Sequence, residues 1–477
     1  MPVLNSFLAF WRLTLARRFQ SGVIMGMALL VAVQPAVQPS VALAQGRDNS
    51  VIIRDTEIEE ILHSWLDPLL VQAGMDPDSV EIILVQNPQI NAFVAGGMNI
   101  FLYTGLIQKT ENPGELIGVM AHELGHIAAG HLISTRAAFE RASYESILGM
   151  VLGVGAALAT GNSQVASAVF TGSSSLATSR FLTNSRVQES SADQAALRFM
   201  QGAEINPSGL VSFFEKLSSE ELLPASQQSA YMRTHPLTRD RISALEVKVG
   251  QSPYKDAPYP AGWDEAHARM KAKLAGFITP AQIQWLYEDR DTTMAARYAQ
   301  AIAAYREDHI EPALSAMDDL IAAEPGNPYF KELKGQMLVD FGRIQEALPY
   351  YKAAVEALPG SGLIRIAYGH ALLESGNDPA RMQEAIGHLE RALRDEPRAT
   401  RAYRLLATAY GRLGQEDMAK VNLAEEAILQ RRLKDARALA EGVKENAPKD
   451  GRAAQQARDI LQQIKSLKGE EAQEGGE

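Results

Sequence analysis

Cysteine is absent from the 477 residues, which excludes disulfides, thiolate metal ligands and a cysteine nucleophile. The absence says little about compartment, since an oxidising environment permits disulfides without requiring them. Any metal must be held by His and carboxylate. Basic charge is also scarce: 46 Lys and Arg stand against 57 Asp and Glu, a net charge of −11. Nucleic acid is excluded as a main partner because phosphate binding needs a basic face, and protein partners are expected instead. Long apolar runs are missing too. Residues 22–33 (GVIMGMALLVAV) fall short of the roughly 20 residues a spanning helix needs. With 46% hydrophobic and 22% charged residues, neither a multispan membrane protein nor a disordered chain fits. The length exceeds one ordinary core, so two folded units are expected.

What is present at the start reads as an export signal. Arg12, Arg17 and Arg18 precede the apolar run, and Val41-Ala42-Leu43-Ala44 ends in a small-residue cleavage pattern before Gln45. A signal peptide over 1–44, cleaved after Ala44, is expected; the alternative is an uncleaved anchor. From Asp48 to about Arg290 strand-like and helical segments mix, and from Met294 onward almost everything has helical period. Ala313, Ala347, Ala385 and Ala419 recur at spacings of 34, 38 and 34, and Pro325, Pro359 and Pro397 at 34 and 38, the repetition of tetratricopeptide units. Gly342, Gly376 and Gly414 fall at the inner turns, and a proline closes each unit where a helix cannot continue. Helix pairs of this kind bury their apolar faces by stacking, which predicts a superhelix with a concave groove for peptides or proteins. Domains are expected at 45–290 and 291–465, with 466–477 an acidic, disordered tail. Ile147 to Ala159 (ILGMVLGVGAALA) is apolar but short. A buried helix, a mobile lid and a peripheral membrane contact through 147–178 all stay open for it.

The chemistry concentrates in Glu115 to His131 (ELIGVMAHELGHIAAGH), an apolar helical pattern opened by Asn112-Pro113. His122 and His126 are four apart and share a helix face, so both can turn neutral imidazoles toward one zinc ion while Glu123 reaches a water there as general base. A third protein ligand is still needed. His131 fits poorly: the elongated zincin pattern wants Gly at 129 and His at 132, where Ala129 and Leu132 stand. It reads instead as a surface or capping residue. Glu189 and Asp193, four apart on a second helical stretch, are the other solution: Glu189 can ligate while Asp193 accepts a hydrogen bond from a ligand imidazole. Spacing alone leaves open that they are a solvated acidic pair.

Together NAFVAGG (91–97), Gly105-Leu106, NPGELIGVMAHELGHIAAGH (112–131), SRVQESSADQAA (185–196) and THPLTRDRI (234–242) resemble the zinc peptidase family of HtpX and the CaaX prenyl protease, over about residues 81 to 245. With an export signal before and repeats after, the architecture is similar to that of the family's periplasmic, repeat-bearing members. The resemblance implies an α+β zincin-like (gluzincin) metallopeptidase domain followed by an all-α tetratricopeptide-repeat superhelix, with one Zn2+ per chain. By the same resemblance His122, His126 and Glu189 are the metal ligands, Glu123 the base and Asp193 the group that steadies a ligand imidazole. His235 matches a histidine that approaches the metal as an extra, regulatory ligand at rest, or helps position substrate when displaced. A periplasmic endopeptidase for unfolded or misassembled envelope proteins is implied, its repeats docking to the outer-membrane β-barrel assembly machinery in a chaperone-like role. The alternative is a repeat-based chaperone or assembly scaffold with a latent, switchable protease. No pair of long spans flanks the catalytic helix, so lipid-modified substrates are not expected. Asn99 to Tyr103 (NIFLY) reads as a strand and is expected to offer a sheet edge to an extended substrate.

Overall fold

The computed structural model describes residues 50–130, Leu148 and 175–474 apart from 225, 226 and 289. The expected signal segment with Ala44, His131 and all of the 147–159 stretch but Leu148 lie outside the described residues.

Four short strands, β1 (Val51–Ile53), β2 (Glu81–Gln86), β3 (Ala92–Ala95) and β4 (Asn99–Tyr103), form one sheet in the order β1-β2-β4-β3. β2 and β4 run parallel, with Ile82 opposite Ile100 and Leu84 opposite Leu102, and the two outer pairings are antiparallel. The β-branched and aromatic residues of EIILVQ and NIFLY suit a pleat covered on both faces, and all five residues of β4 are buried.

This order corrects the expectation that Asn99 to Tyr103 forms a free edge. Gly96 (φ 64°) and Gly97 (φ 100°) turn the chain in a conformation that favours glycine. β3 therefore folds back onto β4, pairing Ala92 with Leu102 and Ala95 with Asn99, and becomes the edge itself.

Behind the strands come α1 (Thr56–Gln72), α2 (Thr104–Lys109), α3 (Pro113–Ala128), α4 (Ser175–Gly202), α5 (Ser208–Ser218), α6 (Ala230–Thr234), α7 (Arg239–Gly250) and α8 (Trp263–Ile278). One face of the sheet shares a core with α1 and α3 through Leu62, Trp65, Ile100, Leu102, Met120 and Leu124. On the other face Val85, Phe101 and Tyr103 pack with Leu148, which is buried. Among the described residues no helix is long and apolar enough to cross a membrane.

His267 on α8 is buried, its Nε2 2.8 Å from the Thr110 hydroxyl. Burial, with help from Lys271 and Lys216, pushes its pKa down to about 4. An unfolded chain binds this proton near pH 6.5, so the unfolded state carries the extra proton between about 6.5 and 4, and stability falls as pH falls through that window. The loss at pH 5 is expected to be on the order of 2 kcal/mol. Urea denaturation at pH 7 and pH 5 checks it, and His267→Gln should flatten the difference.

The second half is helical: α9 (Met294–Arg306), α10 (Ile310–Ala323), α11 (Pro328–Asp340), α12 (Ile344–Ala357), α13 (Gly362–Glu374), α14 (Pro379–Asp395), α15 (Thr400–Arg412), α16 (Glu416–Leu429), α17 (Leu433–Asn446) and α18 (Arg452–Glu474). The recurring alanines Ala313, Ala347 and Ala385 are fully buried, where only a small side chain lets helices approach. Gly342, Gly376 and Gly414 take positive φ at the inner turns, and Asp308 and Arg431 do so at two further turns. α18 runs into the stretch expected to be a disordered tail. Lys468, Glu470, Glu471 and Ala472 are good helix formers, and acidic composition alone does not stop a helix already nucleated upstream.

α8 joins the halves. Met270 and Leu274 belong to the first core, while Ala272 and Ala275 pack against Ala295, Ala299 and Ala303 of α9. Around this contact Lys273 Nζ lies 2.7 Å from Asp55 and 3.1 Å from Glu57, and Glu57 also accepts from the Tyr298 hydroxyl at 2.9 Å. Farther along, Arg54 bridges Glu59 at 2.8 Å and Glu396 at 2.7 Å, tying the segment after β1 to the C-terminal end of α14.

Candidate metal centre

Every residue of α3 from Pro113 to His126 is buried. A helix apolar on all sides belongs inside a core, so the few polar groups it carries there must be matched. Asn112 caps it, accepting from the Glu115 amide at 3.1 Å, and Glu115 is met by Lys216 at 2.9 Å. The remaining polar groups are His122, Glu123 and His126.

α4 crosses α3 at Gly125. A Cβ there would stand 2.6 Å from the Ala192 carbonyl oxygen and 2.8 Å from its Cα, so glycine sets the backbone approach that delivers Glu189 and Asp193 to the histidines. Gly125→Ala is expected to cost about 1–3 kcal/mol by overpacking and to weaken metal binding as α4 moves away. Denaturation and zinc titration read the two effects.

His122, His126, Glu189 and His235 are all buried and bring one donor atom each within 4.8 Å of one another. Nε2 of His122 is 3.1 Å from Nε2 of His126, 3.3 Å from Glu189 Oε2 and 3.4 Å from Nδ1 of His235. Nδ1 of His235 is 3.2 Å from the same Glu189 oxygen. Tetrahedral bonds of about 2.0–2.1 Å to zinc put neighbouring ligand atoms about 3.3–3.4 Å apart, so the donor set fits such an ion.

The electrostatics ask for positive charge at the same point. Burial opposes charge on His122, yet Asp193 and Glu189 override it and raise its pKa to about 9. Burial also opposes ionisation of Glu189, and His122 and His235 override it to hold the carboxylate well below its usual range. Asp193 Oδ1 lies 2.9 Å from His122 Nδ1, on the side of the ring away from the cluster.

Glu123 lies beside the cluster, one oxygen 3.4 Å from His235 Nε2. Neither carboxylate oxygen makes a hydrogen bond among the described residues. Burial raises its pKa, against the pull of His235 and His122.

Two further residues enter the site that motif spacing did not single out. Arg241 donates to both oxygens of Asp193 at 2.7 and 2.8 Å and to the Pro236 carbonyl at 2.8 Å, and its Nη1 lies 3.1 Å from Glu189. It thus links α4 to the loop carrying His235. The stretch THPLTRDRI contains it, but Arg239 stands two residues before, and only the phase of α7, capped by Thr238, decides which arginine turns inward. Tyr231 stacks on the His235 ring at 4.7 Å, and its amide donates to the Ile90 carbonyl at 3.0 Å, joining α6 to the segment that enters edge strand β3.

A buried His-Glu-His helix crossed by a carboxylate-bearing helix, beside a small sheet whose outer strand β3 pairs with no further strand among the described residues, defines a metallopeptidase. Residues 54–249 match Peptidase family M48, and residues 298–362 match a tetratricopeptide repeat. The chain is 25% identical over 406 residues to the Beta-barrel assembly-enhancing protease of Escherichia coli (strain K12), covering 83% of this chain and 80% of that protein. It is 32% identical over 177 residues to Metalloprotease LoiP of the same organism, covering 33% of this chain and 61% of that one. It is 27% identical over 197 residues to Mitochondrial metalloendopeptidase OMA1 of Schizosaccharomyces pombe, covering 40% and 52%. The chain is a metalloendopeptidase with a helical repeat region after its catalytic domain.

Proposed function

We propose that this metalloendopeptidase depends on zinc, works in the periplasm on unfolded or misassembled envelope proteins, and serves the assembly and quality control of outer-membrane β-barrels. The observation that carries the proposal is the set of four buried donors, three of them 3.1, 3.3 and 3.4 Å from His122 Nε2, beside the Glu123 carboxylate. In this reading His122, His126 and Glu189 hold the ion, and Asp193 fixes the tautomer of His122. A bound zinc supplies a Lewis acid that polarises the scissile carbonyl and acidifies water. Glu123 takes the proton from that water and returns it to the leaving amine. Arg241 keeps Asp193 ionised and in place. An extended substrate pairs with the outer edge of β3 through backbone hydrogen bonds, which suits chains that have lost their fold.

The likeness to the E. coli β-barrel assembly-enhancing protease along most of both chains supports the envelope role, and the pattern over 1–44 supports export. The division into a catalytic unit over 45–290 and repeats over 291–465 that present substrate or dock to the barrel assembly machinery belongs to the same proposal. The mature chain from Gln45, offered an unfolded β-barrel protein, is expected to cleave it, to stop on removal of metal by a chelator, and to recover with added zinc. Cleavage that persists without metal would sink the reading.

His235 supports a second reading, a latent enzyme. Its Nδ1 lies 3.4 Å from His122 Nε2 and 3.2 Å from Glu189 Oε2, from where it would take the position a catalytic site keeps open for water and substrate. His235→Ala is then expected to raise basal cleavage severalfold, and unchanged cleavage with zinc retained would count against latency.

A further inference from the structure

Behind the metal site, on the far side of the Asp193–Arg241 pair, a cleft of about 580 Å3 opens between α4 and α7. Its α4 wall is Arg186, Ser190 and Gln194, and its α7 wall is Asp240, Ala244 and Lys248, each set four residues apart and therefore on one helix face. Arg239 stands at the start of α7, and the paired Asp193 and Arg241 form the floor. Because the floor pair neutralises itself, Arg186, Arg239 and Lys248 face Asp240 alone, an excess of positive charge on a chain whose net charge is −11. All three cations are exposed and make no ion pair among the described residues.

Two apolar side chains flank these charges without cover. Val187 is 68% exposed and lines an adjoining hollow with Arg186 and Arg198. Val247 is 61% exposed and lies seven residues after Asp240, on the same face of α7.

We propose that this face docks on an anionic phospholipid surface, with a headgroup phosphate seated in the cleft. Cations interleaved with exposed aliphatic groups match a headgroup layer over acyl chains; an acidic peptide would be met by the cations and would leave the valines in water. The overall negative charge does not cancel the attraction, because at physiological salt charges beyond about 8 Å are screened. Each basic side chain close to an anionic bilayer strengthens binding about fivefold. Docking would rest the back of the peptidase domain on the membrane without using any group that touches substrate.

The test is co-sedimentation of the mature chain with vesicles of phosphatidylglycerol and phosphatidylcholine, against vesicles of phosphatidylcholine alone. The expected result is binding to the first and not the second, weakened at least tenfold by Arg239→Glu with Lys248→Glu and also by Val247→Asp, and kept by Arg239→Lys with Lys248→Arg. Cleavage of a soluble unfolded substrate and zinc content should not change in any of these variants, which shows that they fold. Equal binding to both vesicle types, or no effect of charge reversal, overturns the proposal. Complete displacement of the vesicles by millimolar inorganic phosphate would mark the cleft as a free-phosphate site, and preference for a soluble acidic peptide would mark it as a peptide site; either result overturns the membrane assignment.

Discussion

Glu123→Gln is expected to lower peptide cleavage by about 10²–10⁴-fold, the usual contribution of a positioned general base, while zinc content stays at one per chain. The exchange preserves shape. It also removes a carboxylate that burial destabilises and that makes no hydrogen bond among the described residues, so the fold should hold or gain slightly in thermal stability. The informative measurement is the joint one: turnover of an unfolded protein, bound zinc and melting temperature on the same preparation. Lost zinc would make Glu123 a ligand, and full turnover would remove it from the mechanism.

Lys273→Ala is expected to cost about 3–5 kcal/mol, the range for removing one partner of a buried charge cluster. Lys273 is 2% exposed and Glu57 0%, so deleting the ammonium leaves Asp55 and Glu57 near one another, with Arg269, 2.8 Å from Glu57, as the remaining cation paired with them among the described residues. Tyr298 loses the charge 5.9 Å from its ring centre at the same time. The damage falls on the seam between the catalytic domain and the first repeat. Denaturation should therefore show both lower stability and a split into two transitions, and protease nicking near residues 279–293 should rise. Lys273→Met with Glu57→Gln, which removes charge from both sides, should recover part of the loss. A single unshifted transition in Lys273→Ala would mean that the cluster does not hold the halves together.

The seam also marks where the sequence stopped being readable. Charged residues at core positions of α1 and α8 look like a solvated face until the partner element is known, and Lys273 and Glu57 meet across 216 positions. The catalytic helix was legible because its chemistry is local: His122 and His126 share a face through helical period alone, and the apolar surroundings announce burial. Glu189 and Asp193 needed a resemblance, since two acids four apart can face solvent as well as metal. Arg241 was out of reach for a related reason, because Pro236 breaks the phase between His235 and α7. The sheet edge was misplaced because strand order is a long-range property. The Gly96-Gly97 pair that returns β3 along β4 was in plain view as a turn signal, but it does not reveal that β2 already holds the other side of β4.

That edge is only four residues long, and its brevity limits what the enzyme can know about its victim. In the proposed pairing, the backbone of β3 would engage about four substrate residues, and in a pleat only alternate ones would turn toward the protein. Two side chains would carry too little information to tell one extended chain from another. On this proposal, choice of substrate would rest on whether a segment can be drawn out straight and on what the repeats have already caught, which would make foldedness, rather than sequence, the thing being read.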